Sequence, residues 1–225
     1  VSSPHSELVG IPAGAAHMEG MLDLPADAVG VVLFAHGSGS SRLSPRNNYV
    51  AEELRKAGMG TLLLDLLTPQ EDRQYQTRFD IALLTERLGA GADWLRRHAA
   101  SAALPLGLFG ASTGAAAALQ LAAQRGPGIA AVVSRGGRPD LAGRQALASV
   151  SAPTLLIVGG LDQGVIELNQ EAYAALRCEK RLDIVPGAGH LFEEAGTLEA
   201  VAGLAASWLA RHLTERAGGA AQTPP

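Results

Sequence analysis

The chain alternates between short, continuously apolar runs and longer stretches in which apolar positions return every three or four residues. Residues 30–35, Gly30-Val31-Val32-Leu33-Phe34-Ala35, contain no polar position, which predicts a strand buried on both faces. Runs at 61–66, 104–109, 129–133, 154–158 and 181–185 predict further strands. Helical periodicity fills the intervals at 46–57 (closed by Gly58), 79–98, 115–125, 140–148, 165–176 and 197–212. Ahead of this alternation, 7–12 and 16–24 read as two short strands joined by a glycine turn. From about residue 30 onward, strand follows helix follows strand, the signature of a mostly parallel central sheet covered by helices on both faces, an α/β fold. No repeat or linker breaks the pattern, so residues 1–225 read as one domain, with about 1–6 and 215–225 as flexible ends.

Composition narrows the function classes. With 225 residues, 47% of them hydrophobic, the chain has enough apolar mass for a sizeable core. A net charge of −4 without a basic run gives nucleic-acid binding no electrostatic support. The one cysteine, Cys178, reads as a half-buried structural thiol. No apolar stretch is long enough for a membrane span, and Val1-Ser2-Ser3-Pro4-His5 has no signal-peptide pattern, which predicts a cytoplasmic protein, monomeric or homodimeric. The sequence motifs call for no cofactor and no metal.

In a sheet of this kind ligands bind beyond the carboxyl ends of the strands, so the polar residues just past each strand carry the chemistry. After 104–109 comes Gly110-Ala111-Ser112-Thr113-Gly114, a G-x-S-x-G between strand and helix that holds a serine hydroxyl above the sheet. After 154–158 comes Gly159-Gly160-Leu161-Asp162, and after 181–185 comes Gly187-Ala188-Gly189-His190. Serine, aspartate and histidine thus reach one rim in the order expected of α/β-hydrolases. Ser112 is the candidate nucleophile and His190 its base, since only this histidine follows both a strand and a glycine-rich loop. Asp162 is the candidate orienting acid, with Asp140, read as a helix cap, in reserve. The oxyanion hole is assigned to the backbone N–H groups of Thr113 and of Ser38 in the loop His36-Gly37-Ser38-Gly39. His36 reads as a brace for that loop. A dinucleotide reading of Gly37-Ser38-Gly39 with Asp65 is disfavoured because Arg42 stands where the third glycine belongs.

Together these segments resemble the dienelactone hydrolase branch of the α/β-hydrolases, from about residue 8 to 213. The stretches 134–141 and 190–194 are similar to a bacterial subgroup of small hydrolases in that branch. Some of its members are fused to a phosphoribosyltransferase domain, but no acidic phosphoribosyl-diphosphate loop occurs here. True dienelactone hydrolases carry cysteine where this chain has Ser112, which favours a general serine carboxylesterase acting on small or short-chain esters, lactones among them. Only a short helix fits between 129–133 and 154–158, so no cap domain is expected over the site. The family uses arginines to hold a substrate carboxylate. Arg42, Arg135 and Arg138 lie on this rim and are candidates for that role, or for pairing with local carboxylates such as Asp140. The segment 68–75 is expected to form one wall of the entrance. The partner implied is a small-molecule ester; the alternative function is a non-catalytic small-ligand receptor on the same fold.

Overall fold

The computed structural model describes residues 4–220. Two antiparallel strands, β1 (His5–Ala13) and β2 (Ala16–Leu24), precede an alternation of strand and helix. It runs β3 (Val31–Ala35), α1 (Pro45–Lys56), β4 (Gly60–Leu64), α2 (Pro69–Asp72), α3 (Ile81–Arg97), β5 (Leu106–Ala111) and α4 (Thr113–Arg125). It continues with β6 (Ala131–Arg135), α5 (Arg144–Ser149), β7 (Thr154–Gly159), α6 (Gln163–Ala175), β8 (Lys180–Val185) and α7 (Thr197–Ala220). All eight strands form one sheet in the order β1-β2-β4-β3-β5-β6-β7-β8. From β4 to β8 every neighbouring pair is parallel, and β2 joins β4 antiparallel.

The continuous apolar runs are explained by the two layers of helices. Along β3, Val31, Leu33 and Ala35 face a core shared with α3 and α4, while Val32 and Phe34 face a core shared with α1 and α7. A strand whose side chains alternate between two apolar layers needs no polar position. Phe34 and Phe109 stack across β3 and β5 with ring centroids 4.8 Å apart, tying the two strands whose ends carry the loops of interest. Edge strand β1, covered on one side only, shows strict in–out alternation instead. Half-buried Cys178 packs against the first core.

Differences from the predicted elements have local causes. Ser44 caps α1 ahead of Pro45, and Asp80 caps α3 by accepting from the Leu83 N–H, so α3 starts at Ile81 and residues 77–79 turn as a separate 3-10 helix. The expected helix 140–148 is a 3-10 turn, Pro139–Ala142, followed by α5, because Gly143 takes φ +84° between them. Thr68 and Glu71 form a reciprocal capping box that starts α2 inside the expected polar segment. The ends read as flexible are partly inside elements: β1 begins at His5 and α7 runs to Ala220, while 1–3 and 221–225 lie outside the described residues. No described helix is long and apolar enough to cross a membrane.

Candidate active site

Between the last residue of β5 and the first of α4 stands one residue, Ser112, with φ +50° and ψ −122°. A non-glycine side chain in this region is strained, so the surrounding chain must hold it there. Two glycines make the turn possible. A Cβ on Gly110 would lie 2.5 Å from Ala115 Cα, and one on Gly114 would lie 2.2 Å from the carbonyl oxygen of Ala35. The helix therefore packs directly on the ends of β3 and β5. The Ser112 N–H donates to the Arg135 carbonyl at 3.3 Å, and the Ser112 carbonyl accepts from the Arg138 N–H at 3.0 Å. The Thr113 N–H, in the first turn of α4, has no partner among the described residues. The loop after β3 lies against the serine: a Cβ on Gly37 would come within 2.9 Å of Ser112 Cβ.

The candidate acid and base, Asp162 and His190, arrive from β7 and β8 on loops that interlock. The Gly160 N–H donates to Val185 O at 2.8 Å and the Leu161 N–H to Ala188 O at 2.9 Å. A Cβ on Gly159 would lie 2.4 Å from Ala188 O, which is why glycine stands there. This lacing brings Asp162 and His190 together, with His190 Nδ1 2.6 Å from Asp162 Oδ2. A carboxylate on Nδ1 fixes the tautomer that leaves Nε2 as an acceptor. Ser112 Oγ makes no hydrogen bond among the described residues; such bonds commonly tighten only when a substrate is bound. His190 does stand over the end of β6 next to Ser112, its Cε1 3.7 Å from where a Gly136 side chain would begin.

His36 braces its loop from a buried position, 5% exposed. Its Nε2 accepts the Leu66 N–H at 3.0 Å and its Nδ1 lies 2.9 Å from the Gly37 carbonyl, so the imidazole is neutral with the proton on Nδ1. Burial pushes its pKa below the usual histidine value.

The three arginines differ. Arg42 is held between Asp65, through side chain and backbone, and Glu19 at 2.8 Å. Arg138 grips both oxygens of Asp140, at 2.9 and 2.7 Å, so Asp140 serves that pair and makes no capping bond. Arg135 is the last residue of β6, in register with Ala111, and is 8% exposed. Its Nη1 is buried without a hydrogen-bond partner, and burial together with nearby Arg46 pushes its pKa down to about 10.

Several supporting residues carry no motif. Phe192 is buried in the left-handed region at φ +56° and pins the His190 loop against Gly136. Glu194 accepts the Gly189 N–H at 3.0 Å, which holds its carboxyl below the usual range. Arg78 reaches from the segment after α2 to within 3.4 Å of the Gly39 Cβ position, so this segment borders the loop after β3. The one available signal was the glycine density before His190; the anchoring phenylalanine and glutamate look like ordinary loop residues.

No family model matches the chain. Two curated proteins of Mycobacterium tuberculosis, provisionally named phosphoribosyl transferases, are 57% identical over 207 residues, 92% of this chain and 46% of theirs. The chain thus spans about half the length of the curated relatives it matches. The solved structure of Est1E from Butyrivibrio proteoclasticus superposes with a TM-score of 0.78 at 15% identity, over 92% of this chain and 98% of that one, which speaks for the fold. The crystal structure of a dienelactone hydrolase from Anabaena variabilis superposes with a TM-score of 0.90 at 52% identity, over 94% of this chain and 99% of that one. With that identity across nearly the whole of both chains, the protein belongs to the dienelactone hydrolase family.

Proposed function

We propose that the protein is a serine carboxylesterase that cleaves small or short-chain esters, lactones among them, through an acyl-enzyme on Ser112. The observation that carries this reading is the 2.6 Å contact of His190 Nδ1 with Asp162 beside a serine held in a strained turn. In the first half-reaction His190 Nε2 takes the Ser112 proton as Oγ bonds to the ester carbonyl carbon. The imidazolium keeps its Nδ1–H on Asp162 and returns the other proton to the departing alcohol. Water then enters with the same base, and the acid product leaves with Ser112 restored. The oxyanion of each tetrahedral intermediate is met by the Thr113 and Ser38 N–H groups; the Thr113 donor has no partner among the described residues, and the Gly37 backbone lies against the serine. Between β6 and β7 only a 3-10 turn and α5 occur, which leaves the approach to Ser112 free of a cap from that connection.

The substrate carries a negative charge in this reading. Arg42 and Arg138 have their charges met by aspartates, whereas Arg135 lies one strand from Ser112 with its Nη1 buried and no ion pair among the described residues. A carboxylate on the ester would supply the missing partner. Leu161 and Leu191, exposed beside Asp162 and His190, offer apolar contact to a short chain.

The test is hydrolysis of p-nitrophenyl acetate, butyrate and octanoate by wild type and Ser112→Ala. Turnover that falls with chain length and vanishes in the variant supports the reading. A folded wild type that turns over none of them, or a variant as active as wild type, contradicts it.

A further inference from the structure

Three side chains outside the catalytic rim converge at the opposite end of the sheet. His5 and Glu7 are two residues apart on β1, so both face inward on the row continued by Val9, Ile11 and Ala13. His98 directly follows the last residue of α3, at the helix end that carries partial negative charge. The parallel strands start at this end and reach Ser112 at the other.

Glu7 Oε1 lies 3.2 Å from His5 Nε2 and 2.9 Å from His98 Nε2. All three candidate ligand atoms lie within 4.8 Å of one another. His5 Nε2 is buried and, despite the nearby carboxylate, has no hydrogen-bond partner. The His98 ring stacks on Trp94, centroids 4.5 Å apart and planes 22° from parallel, which fixes its rotation before any ligand arrives. Two imidazole nitrogens and one carboxylate oxygen are a donor set suited to zinc. With bonds of about 2.0–2.2 Å, adjacent ligand atoms of a tetrahedral zinc ion stand roughly 3.3–3.5 Å apart. The two contacts to Glu7 fall short of that by only tenths of an ångström.

We propose that His5, Glu7 and His98 bind one zinc ion, with water completing the tetrahedron, and that the ion clips the first strand to the end of α3. The site is structural. It binds the folded chain and not the unfolded one, so occupancy raises stability while ester hydrolysis, at the other end of the sheet, proceeds without it.

Calorimetric titration of the chelator-treated protein with zinc sulfate, repeated on His98→Gln and Glu7→Gln, tests this. The expected result is one zinc per wild-type chain, affinity at least tenfold lower in both variants, and a Tm rise of about 5–10 °C at a hundredfold excess of zinc over Kd in wild type alone. Nickel is expected to quench Trp94 emission in wild type and not in His98→Gln. Circular dichroism of each variant without metal, expected to match wild type, separates lost binding from lost folding. No zinc bound at 100-fold molar excess, or equal stoichiometry and affinity in wild type and folded variants, overturns the proposal. So does an equal nickel quench in His98→Gln.

Discussion

Two halves of one sheet edge hold the same kinds of residue and do different things with them. Beyond β3 and β4 stand a histidine, an arginine and an aspartate, and their bonding groups are taken. Both nitrogens of His36 have backbone partners, and Arg42 lies between Asp65 and Glu19. Beyond β5 to β8 stand the same types with groups left over. Among the described residues His190 bonds through Nδ1 to Asp162 and through Nε2 to nothing, the Thr113 N–H has no partner, and the Arg135 guanidinium has no carboxylate. The comparison teaches that residue type alone does not mark a site here. What differs is the bonding left unmade on this half of the rim, next to the strained backbone at Ser112 and Phe192.

The account is broken most readily at Asp162. Asp162→Asn is expected to fold normally and lose about 10³–10⁴ in kcat, because the amide no longer fixes the imidazole tautomer. An active Asp162→Asn would move the orienting role elsewhere, and the bidentate grip of Arg138 leaves Asp140 poorly placed to take it.

The braced half predicts an effect on stability. His36→Leu leaves the Leu66 N–H and the Gly37 carbonyl without their partner and is expected to cost about 2–3 kcal/mol in denaturant unfolding. Wild-type stability carries a pH signature of the same residue. The folded pKa lies below the ordinary value of 6.5, so above that value both states are neutral and His36 contributes no slope. As pH falls below 6.5 the unfolded chain takes up the proton first and stability drops, until the folded pKa is passed. His36→Leu is expected to lack this component of the slope.

The smallest effects sharpen the contrast between the arginines. Arg135→Met is expected to lower kcat/KM for a carboxylate-bearing ester roughly tenfold relative to a neutral one, and to unfold no more easily than wild type, since it removes a buried unpaired charge. Arg42→Met is expected to leave that substrate ratio unchanged. Parallel kinetics on the two esters and a thermal melt of each variant check both statements.

The parallel sheet was legible because strands buried by two helix layers must be apolar throughout, as Val31–Ala35 is. The tight turn at Ser112 and the meeting of Asp162 with His190 were legible because glycines mark tight turns at strand ends, and a Cβ at Gly110, Gly114 or Gly159 would meet backbone. The pairing of Arg138 with Asp140, two residues on, was one of the two readings of the rim arginines, but the fates of Arg42 and Arg135 were not legible. Whether a guanidinium finds a carboxylate depends on contacts 23 residues apart for Arg42 and Asp65, and pattern does not encode them. Phe192 and Glu194 escaped for a different reason: they hold the loop that carries His190 and belong to no motif.

The most direct test of a serine served by the His190–Asp162 pair is covalent labelling with a fluorophosphonate, read by mass spectrometry of the tryptic peptides. The account predicts one adduct, on Ser112, formed quickly in wild type, much more slowly in His190→Gln, and absent in Ser112→Ala. Labelling that persists unchanged in Ser112→Ala, or an adduct on any other residue of the folded protein, would contradict it.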